Sequence, residues 1–197
     1  MFKVICVTQA ELAKDFFGQL EKICVSGADR IILREKHLSC EEYKALAQKI
    51  IPICRQHGTP LSLHSFTDTA IELGCDSIHL SYQDLISGKG KGFRTVGASV
   101  HSAEEAVTAE KNGASYLIAG HIFPTECKKN LPPRGTDFLR EICNNVSIPV
   151  FAIGGINAEN VHLIRQSGAS GACIMSGLMK ADDPTEIISE IRRSAVK

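Results

Sequence analysis

The sequence predicts an α/β chain folded as a single compact (β/α)8, or TIM, barrel over residues 1–197. Three observations predict it. Eight short apolar runs alternate with amphipathic stretches from end to end, the pattern of parallel strands buried on both faces and covered by helices. Four stretches, Cys24–Asp29, Glu72–Asp76, Glu110–Ser115 and Arg165–Ser170, repeat one unit in which a helix-ending glycine precedes the next strand, where a left-handed C-cap is needed. The competing topology, an open doubly wound sheet, carries a GxGxxG fingerprint after its first strand. Here Val7-Thr8-Gln9-Ala10-Glu11 holds no glycine.

The elements follow in order. The first strand is Lys3–Val7; the opening residues Met1–Cys6 lack the basic region and long apolar run of a secretion signal. A helical pattern over Glu11–Val25 leads to strand two, Arg30–Arg34, and a second over Glu41–His57 leads to strand three, Leu61–His64. Thr67–Leu73 precedes strand four, Ser77–Leu80. The link from Leu80 to Thr95 is too short and glycine-rich for a full helix, so one turn is expected at Gln83–Ile86. Strand five, Thr95–Ala98, is followed by helix Ala103–Asn112, and strand six, Tyr116–Ala119, by helix Thr136–Asn144. Strand seven, Val150–Ile153, helix Asn160–Ser167, strand eight, Ala172–Met175, and helix Pro184–Ala195 complete the count. No low-complexity segment or interdomain linker interrupts them.

Composition narrows the function. There are 22 basic and 22 acidic residues for a formal charge of zero, and no basic run dense enough for a nucleic-acid surface. Nothing approaches a membrane-spanning apolar stretch. The eight cysteines are scattered, without a CxxC pair, and read as small core residues of a reduced, cytoplasmic protein. A small-molecule ligand is expected, with no nucleic-acid or membrane partner, and a homo-oligomer, a dimer, that buries outer helices.

In such a barrel the active site forms at the C-terminal ends of the strands. After strand two stand Arg34, Glu35, Lys36 and His37; after strand three, His64 and Ser65; after strand four, His79 and Asp84. Strand five ends in Ser99 and His101, and strand six delivers His121, Thr125, Cys127 and Lys128. Strands seven and eight end in Gly154-Gly155 and Met175-Ser176-Gly177. Glycines after strand seven let backbone N–H groups approach an anion, and a helix start after strand eight adds partial positive charge; the alternative is that Gly154 and Gly155 simply make a tight turn. Alternation places Arg34 and Lys36 on one side, either as a clamp for a second anion or as solvated charges flanking Glu35. His37, His57 and His162 read as surface residues and His79 as a hydrogen-bonded core histidine, while His64 and His101 can line the mouth. His121, between Gly120 and an apolar pair beside the phosphate-end loops, is the candidate proton carrier. Cys127 is either a nucleophile beside two lysines or a packing residue. A metal site is not expected, because only Asp84 supplies a well-placed hard oxygen ligand.

At these residues the chain resembles the thiamine phosphate synthase superfamily, over nearly its full length. The matching pieces are Leu33–Lys36, Asp76–Leu80 with Asp84, Gly97–His101, Gly120–Lys129, Ala152–Ile156 and Met175–Gly177. The synthase pattern has glutamine where Ile32 stands, Asn-Asp where His64-Ser65 stands, Gly-Pro where Gly120-His121 stands and threonine where Cys127 stands. The Gly-His-x-Phe-x-Thr-x-Cys-Lys-Lys form is similar to the thiazole tautomerase branch, the TenI family. That resemblance implies a metal-independent, cofactor-free isomerase of thiamine biosynthesis that aromatises a thiazole carboxylate phosphate. His121 would shuttle the proton, and the backbone at Gly154, Gly155, Met175 and Ser176 would hold the phosphate. Arg34, Lys36, Cys127 and Lys128 would steady the carboxylate or phosphate, with Ser99, His101 and Thr125 as further ligand contacts. The alternatives are the magnesium-dependent synthase, coupling a pyrimidine pyrophosphate with a thiazole phosphate, and an inactive regulator that binds the thiazole phosphate.

Overall fold

The protein is described by a computed structural model over residues 1–128 and 131–196, the side chain of Cys127 excepted. Eight parallel strands run in sequence order around a closed barrel: β1 (Lys3–Val7), β2 (Arg30–Leu33), β3 (Leu61–His64), β4 (Ser77–Ser81), β5 (Thr95–Val100), β6 (Tyr116–Gly120), β7 (Val150–Ile153) and β8 (Gly171–Ile174). The seam is closed by β8 pairing with β1, in the register Lys3 with Gly171 through Cys6 with Ile174. The principal helices between strands are α1 (Phe16–Val25), α2 (Cys40–Gln56), α3 (Thr67–Glu72), α4 (Tyr82–Ile86), α5 (Ala103–Lys111), α6 (Gly135–Asn145) and α7 (Val161–Gln166); α8 (Ser176–Met179) and α9 (Pro184–Ser194) follow β8. The expected (β/α)8 barrel is the observed fold. No helix among the described residues is long and apolar enough to cross a membrane.

The boundaries differ from expectation where a side chain competes for the backbone. The helix expected over Glu11–Val25 is split into a 3₁₀ turn at Ala10–Leu12 and α1. Asp15 takes an extended conformation and accepts from the Gly18 amide, so the helix starts at Phe16; a short carboxylate at an N-cap satisfies an orphan helix donor. Ser39 and Glu42 form a reciprocal capping box that starts α2. β2 stops before Arg34, whose amide donates to Thr8 Oγ1 at 3.0 Å.

Two shells make the core. One lies between sheet and helices and contains, from the strands, Val4, Cys6, Ile31, Leu33, Leu63, Ile78, Leu80, Ala98, Leu117 and Ala152. The alternate strand residues face the barrel axis. There Ile5, Val7, Ile32, Tyr116, Ile118, Phe151 and Cys173 form a separate buried cluster. Its members come from β1, β2, β6, β7 and β8. The matching positions on β3, β4 and β5 are Ser62 and His64, Ser77 and His79, and Gly97 and Ser99. One side of the interior is therefore apolar and the other polar.

At the seam Gly171 admits no side chain. A Cβ there would sit 2.2 Å from the Lys3 carbonyl oxygen and 3.0 Å from Phe151 Cδ1. Gly171→Ala is expected to destabilise the fold by about 1–3 kcal/mol, the usual cost of overpacking a rigid contact. Urea denaturation should show the midpoint falling with an unchanged slope.

Candidate functional site

A cavity of about 830 Å³ opens at the C-terminal ends of the strands. Of the residues singled out in the sequence, Arg34, Lys36, Ser99, His101, His121, Thr125, Lys128, Gly154, Gly155, Met175 and Ser176 all line it. The expectation for the Cys127 thiol lies outside the described residues. His37 is exposed, and His57 and His162 are half-buried away from this cavity.

The β2 wall is set by a buried carboxylate. Glu35, 1 % exposed, accepts from Thr8 Oγ1 at 2.7 Å and from the Ala10 amide at 2.9 Å. Glu35 thus turns inward to β1, and alternation sends Arg34 and Lys36 to the cavity, as the sequence spacing anticipates. Partial burial first, then the charges of Arg34 and Lys128, lower the pKa of the Lys36 ammonium. Three cations are gathered here, and the field they make disfavours the third charge until an anion arrives.

Next to this wall stand two histidines. His64 hydrogen-bonds Ser65 Oγ through Nδ1 at 2.8 Å, and its own amide donation is taken up elsewhere in the wall, with Tyr43 Oη accepting at 2.9 Å. Burial, followed by the charges of Lys36 and Arg34, pushes the His64 imidazole down to about 4. His79 is 1 % exposed and hydrogen-bonded on both nitrogens, to Tyr116 Oη at 3.2 Å and Ser99 Oγ at 2.9 Å. It is the hydrogen-bonded core histidine expected, yet it also reaches the cavity.

The β6 loop and the β7 turn are packed into each other. Gly154 has φ +102° and Gly155 φ +66°, conformations that favour glycine. A Cβ on Gly154 would lie 2.3 Å from His121 Cβ, and one on Gly155 would lie 2.4 Å from the Pro124 carbonyl oxygen. Turn geometry and close packing thus both require these glycines, whatever they also do for an anion. His121 is 6 % exposed, with Nε2 3.3 Å from the Leu131 carbonyl oxygen. One of its two nitrogens is therefore directed to the loop. On the far side, Met175 precedes the single turn α8, whose leading N–H groups have no acceptor within the helix.

A magnesium site of the kind the synthase pattern carries does not fit these residues. The end of β3 offers His64 and Ser65, and Ser65, at φ +67°, turns its hydroxyl onto His64. The Asp84 carboxylate is held by Lys89 at 2.6 Å and by Ser81 at 2.7 Å. Among the described residues no group of three or more His, Cys, Asp or Glu side chains could hold a metal ion.

Gln9 and Asn157 also line the cavity and were not singled out in the sequence. Both lie just past a strand end, after β1 and β7. That position was the available signal; neither carries a charge or a motif of its own.

A family model described as thiamine monophosphate synthase matches residues 3–178. The thiamine-phosphate synthase of Desulfitobacterium hafniense is 35 % identical over 176 residues, 87 % of this chain and 85 % of the relative. That of Pyrococcus horikoshii is 34 % identical over 194 residues, 97 % and 93 % of the two chains. Among solved structures, a thiamine phosphate pyrophosphorylase from Pyrococcus furiosus superposes with a TM-score of 0.85 at 30 % identity, covering 99 % of this chain and 96 % of the other.

These relatives overturn the expected isomerase. The curated relatives are named as synthases, which are transferases, and the likeness runs through the whole barrel, whereas the tautomerase reading rests on a few departures, at Ile32, His64-Ser65, Gly120-His121 and Cys127. His121 itself lines the cavity, with one ring nitrogen turned to the Leu131 carbonyl oxygen.

The buried His64 makes stability depend on pH. Unfolded, its imidazole takes up a proton near the ordinary value of about 6.5; folded, it resists protonation until about 4. The unfolded state then binds more protons, so stability should fall as the pH drops through this window. Denaturation midpoints from pH 7 to 4 should show the fall in the native protein and a smaller one in His64→Gln.

Proposed function

Because the chain belongs to the thiamine monophosphate synthase family, we propose that it is a transferase that couples a pyrimidine pyrophosphate with a thiazole phosphate. The observation that carries this reading is a cavity with two different anion-binding walls. Arg34, Lys36 and Lys128 form one; Gly154, Gly155, Met175 and Ser176 form the other, and both open on the same space. One strand, β1, separates β2 from β8. Two phosphate-bearing partners need two such walls.

In this reading the thiazole phosphate sits on the backbone of the β7 and β8 turns, where unpaired N–H groups suit a phosphate ester. The pyrophosphate lies against the cations. Coupling breaks the carbon–oxygen bond to pyrophosphate, which leaves with the electron pair, while the thiazole supplies the pair for the new bond. Negative charge grows on the leaving group, and Arg34, Lys36 and Lys128 stabilise it where it develops. Ser99, His101, His121 and Thr125 complete the wall across from β1 and hold the acceptor ring. No step is routed through a metal.

A second reading has its own observation. With Ser65 where the synthase pattern has aspartate and Asp84 paired with Lys89 and Ser81, the pyrophosphate end has one acidic ligand fewer than that pattern and its remaining carboxylate is already engaged. A protein that binds the thiazole phosphate without turnover would keep the glycine wall and tolerate this loss.

The purified protein, given both substrates in buffer with magnesium and separately with EDTA, is expected to release thiamine phosphate and pyrophosphate in at least one condition. Lys36→Met should lower kcat/KM about a hundredfold, the scale for removing one transition-state charge partner. Tight thiazole phosphate binding with no product in either buffer would establish the second reading instead.

A further inference from the structure

The last peptide group of β2, between Leu33 and Arg34, is gripped at both edges by buried hydroxyls that belong to other elements. Its carbonyl oxygen accepts from Tyr43 Oη of α2 at 2.6 Å, and its amide donates to Thr8 Oγ1, just past β1, at 3.0 Å. In a trans peptide these two groups point to opposite edges of one plane, so the pair of hydroxyls sets how that plane lies. Each hydroxyl also continues outward. Tyr43 Oη accepts from the His64 amide at 2.9 Å, and Thr8 Oγ1 donates to Glu35 Oε1 at 2.7 Å. The ends of β1, β2 and β3 are thereby joined where the cavity opens.

Every one of these bonds has a single direction. The His64 and Arg34 amides can only donate, and the Leu33 carbonyl can only accept. Tyr43, having accepted from His64, sends its one proton to Leu33; burial pushes its phenol up, so that proton stays in place. Thr8, having accepted from Arg34, sends its own to Glu35 Oε1, an oxygen that also accepts from the Ala10 amide. The bonds run head to tail from the end of β3 to the carboxylate. Each strengthens the next where water is excluded, and Thr8 and Tyr43 are both 0 % exposed.

The consequence falls on Arg34. It lines the cavity, and its guanidinium has no hydrogen-bond or ion-pair partner among the described residues. Nothing but its own backbone therefore aims it. The direction in which the side chain leaves the strand follows from the plane of the Leu33–Arg34 peptide, and so from two residues that do not line the cavity themselves. The clamp is also built into the packing. The Tyr43 ring is stacked on Phe66 with centres 3.9 Å apart, which holds the phenol at this height between helix and sheet.

We propose that Thr8 and Tyr43 are positioning residues for anion binding, which fix the Leu33–Arg34 peptide and through it aim the Arg34 guanidinium at a phosphate or pyrophosphate group in the cavity. That Arg34 meets an anion rests on the reading of the β2 wall given above; the coupling reaction is not needed for it.

Calorimetric titration with inorganic pyrophosphate in metal-free buffer tests this. Tyr43→Phe keeps the stacked ring and Thr8→Val keeps the volume, and each should weaken binding about fivefold, the scale of one hydrogen bond. Thr8→Ser keeps the hydroxyl but removes a buried methyl, so it should bind as the native protein does although its urea midpoint falls. In an Arg34→Met background neither Tyr43→Phe nor Thr8→Val should weaken binding further, because both act through that guanidinium. Tyr43→Phe carries the test alone if Thr8→Val does not fold. An equal loss in both backgrounds would overturn the proposal. So would affinity that merely tracks the urea midpoint across the variants, or a native protein that takes up no pyrophosphate. A failed coupling assay would remove the transferase reading and leave this result standing, while additive losses beside normal turnover would do the reverse.

Discussion

Closure of the sheet at the β8–β1 seam is the constraint from which the remaining structure follows. Once those strands pair, every second strand residue is committed to a small closed interior, and the rest must face helices. The seam itself is tight enough that the Lys3 carbonyl oxygen occupies the space a Gly171 side chain would need. The outer shell meets this demand with apolar, mostly aliphatic residues. The interior does not, because β3, β4 and β5 bring serines, histidines and a glycine to the axis. Burial of those polar groups is sustained by their being joined to one another and to Arg30, so that few donors or acceptors are left alone.

The same closure explains how the site acquires its charge. The two cations on the β2 turn reach the cavity because Glu35, between them, is drawn inward by Thr8 and Ala10 of the neighbouring strand end. The carboxylate between Arg34 and Lys36 in the sequence is thereby engaged in holding the turn instead of neutralising them. Lys36, Arg34 and Lys128 then repel one another across the cavity mouth. The histidines behind them respond by staying neutral, which keeps this wall from becoming still more positive near pH 7.

Much of the fold was legible in the sequence, since continuous apolar runs mark strands buried on both faces and glycines mark the helix ends before them. What escaped was local. The first helix was read as one piece because its apolar pattern runs past Asp15, and the pattern does not reveal that this carboxylate caps a new start. Ser62, Ser77 and Arg30 resemble the polar half of any alternating strand, so their meeting inside the barrel was invisible before topology placed them together. The strand-end rule found every lysine, arginine and histidine of the cavity, and it passed over Gln9, Ser81 and Asn157 because an amide or a lone hydroxyl announces no chemistry. The reaction was misjudged for a different reason. A few departures, at Ile32, His64-Ser65, Gly120-His121 and Cys127, read as signatures, although the framework they sit in is shared along the full barrel with synthases.

The interlocked turns after β6 and β7 carry a consequence for how such a barrel can be altered. With His121 and Pro124 seated in the spaces that Gly154 and Gly155 leave open, neither turn has a shape of its own. They form one composite part contributed by two separated stretches of chain. Grafting the β6 loop of another barrel into this one, or drifting towards a new specificity there, means moving the β7 turn with it. The freedom to vary lies instead in turns that share no such boundary.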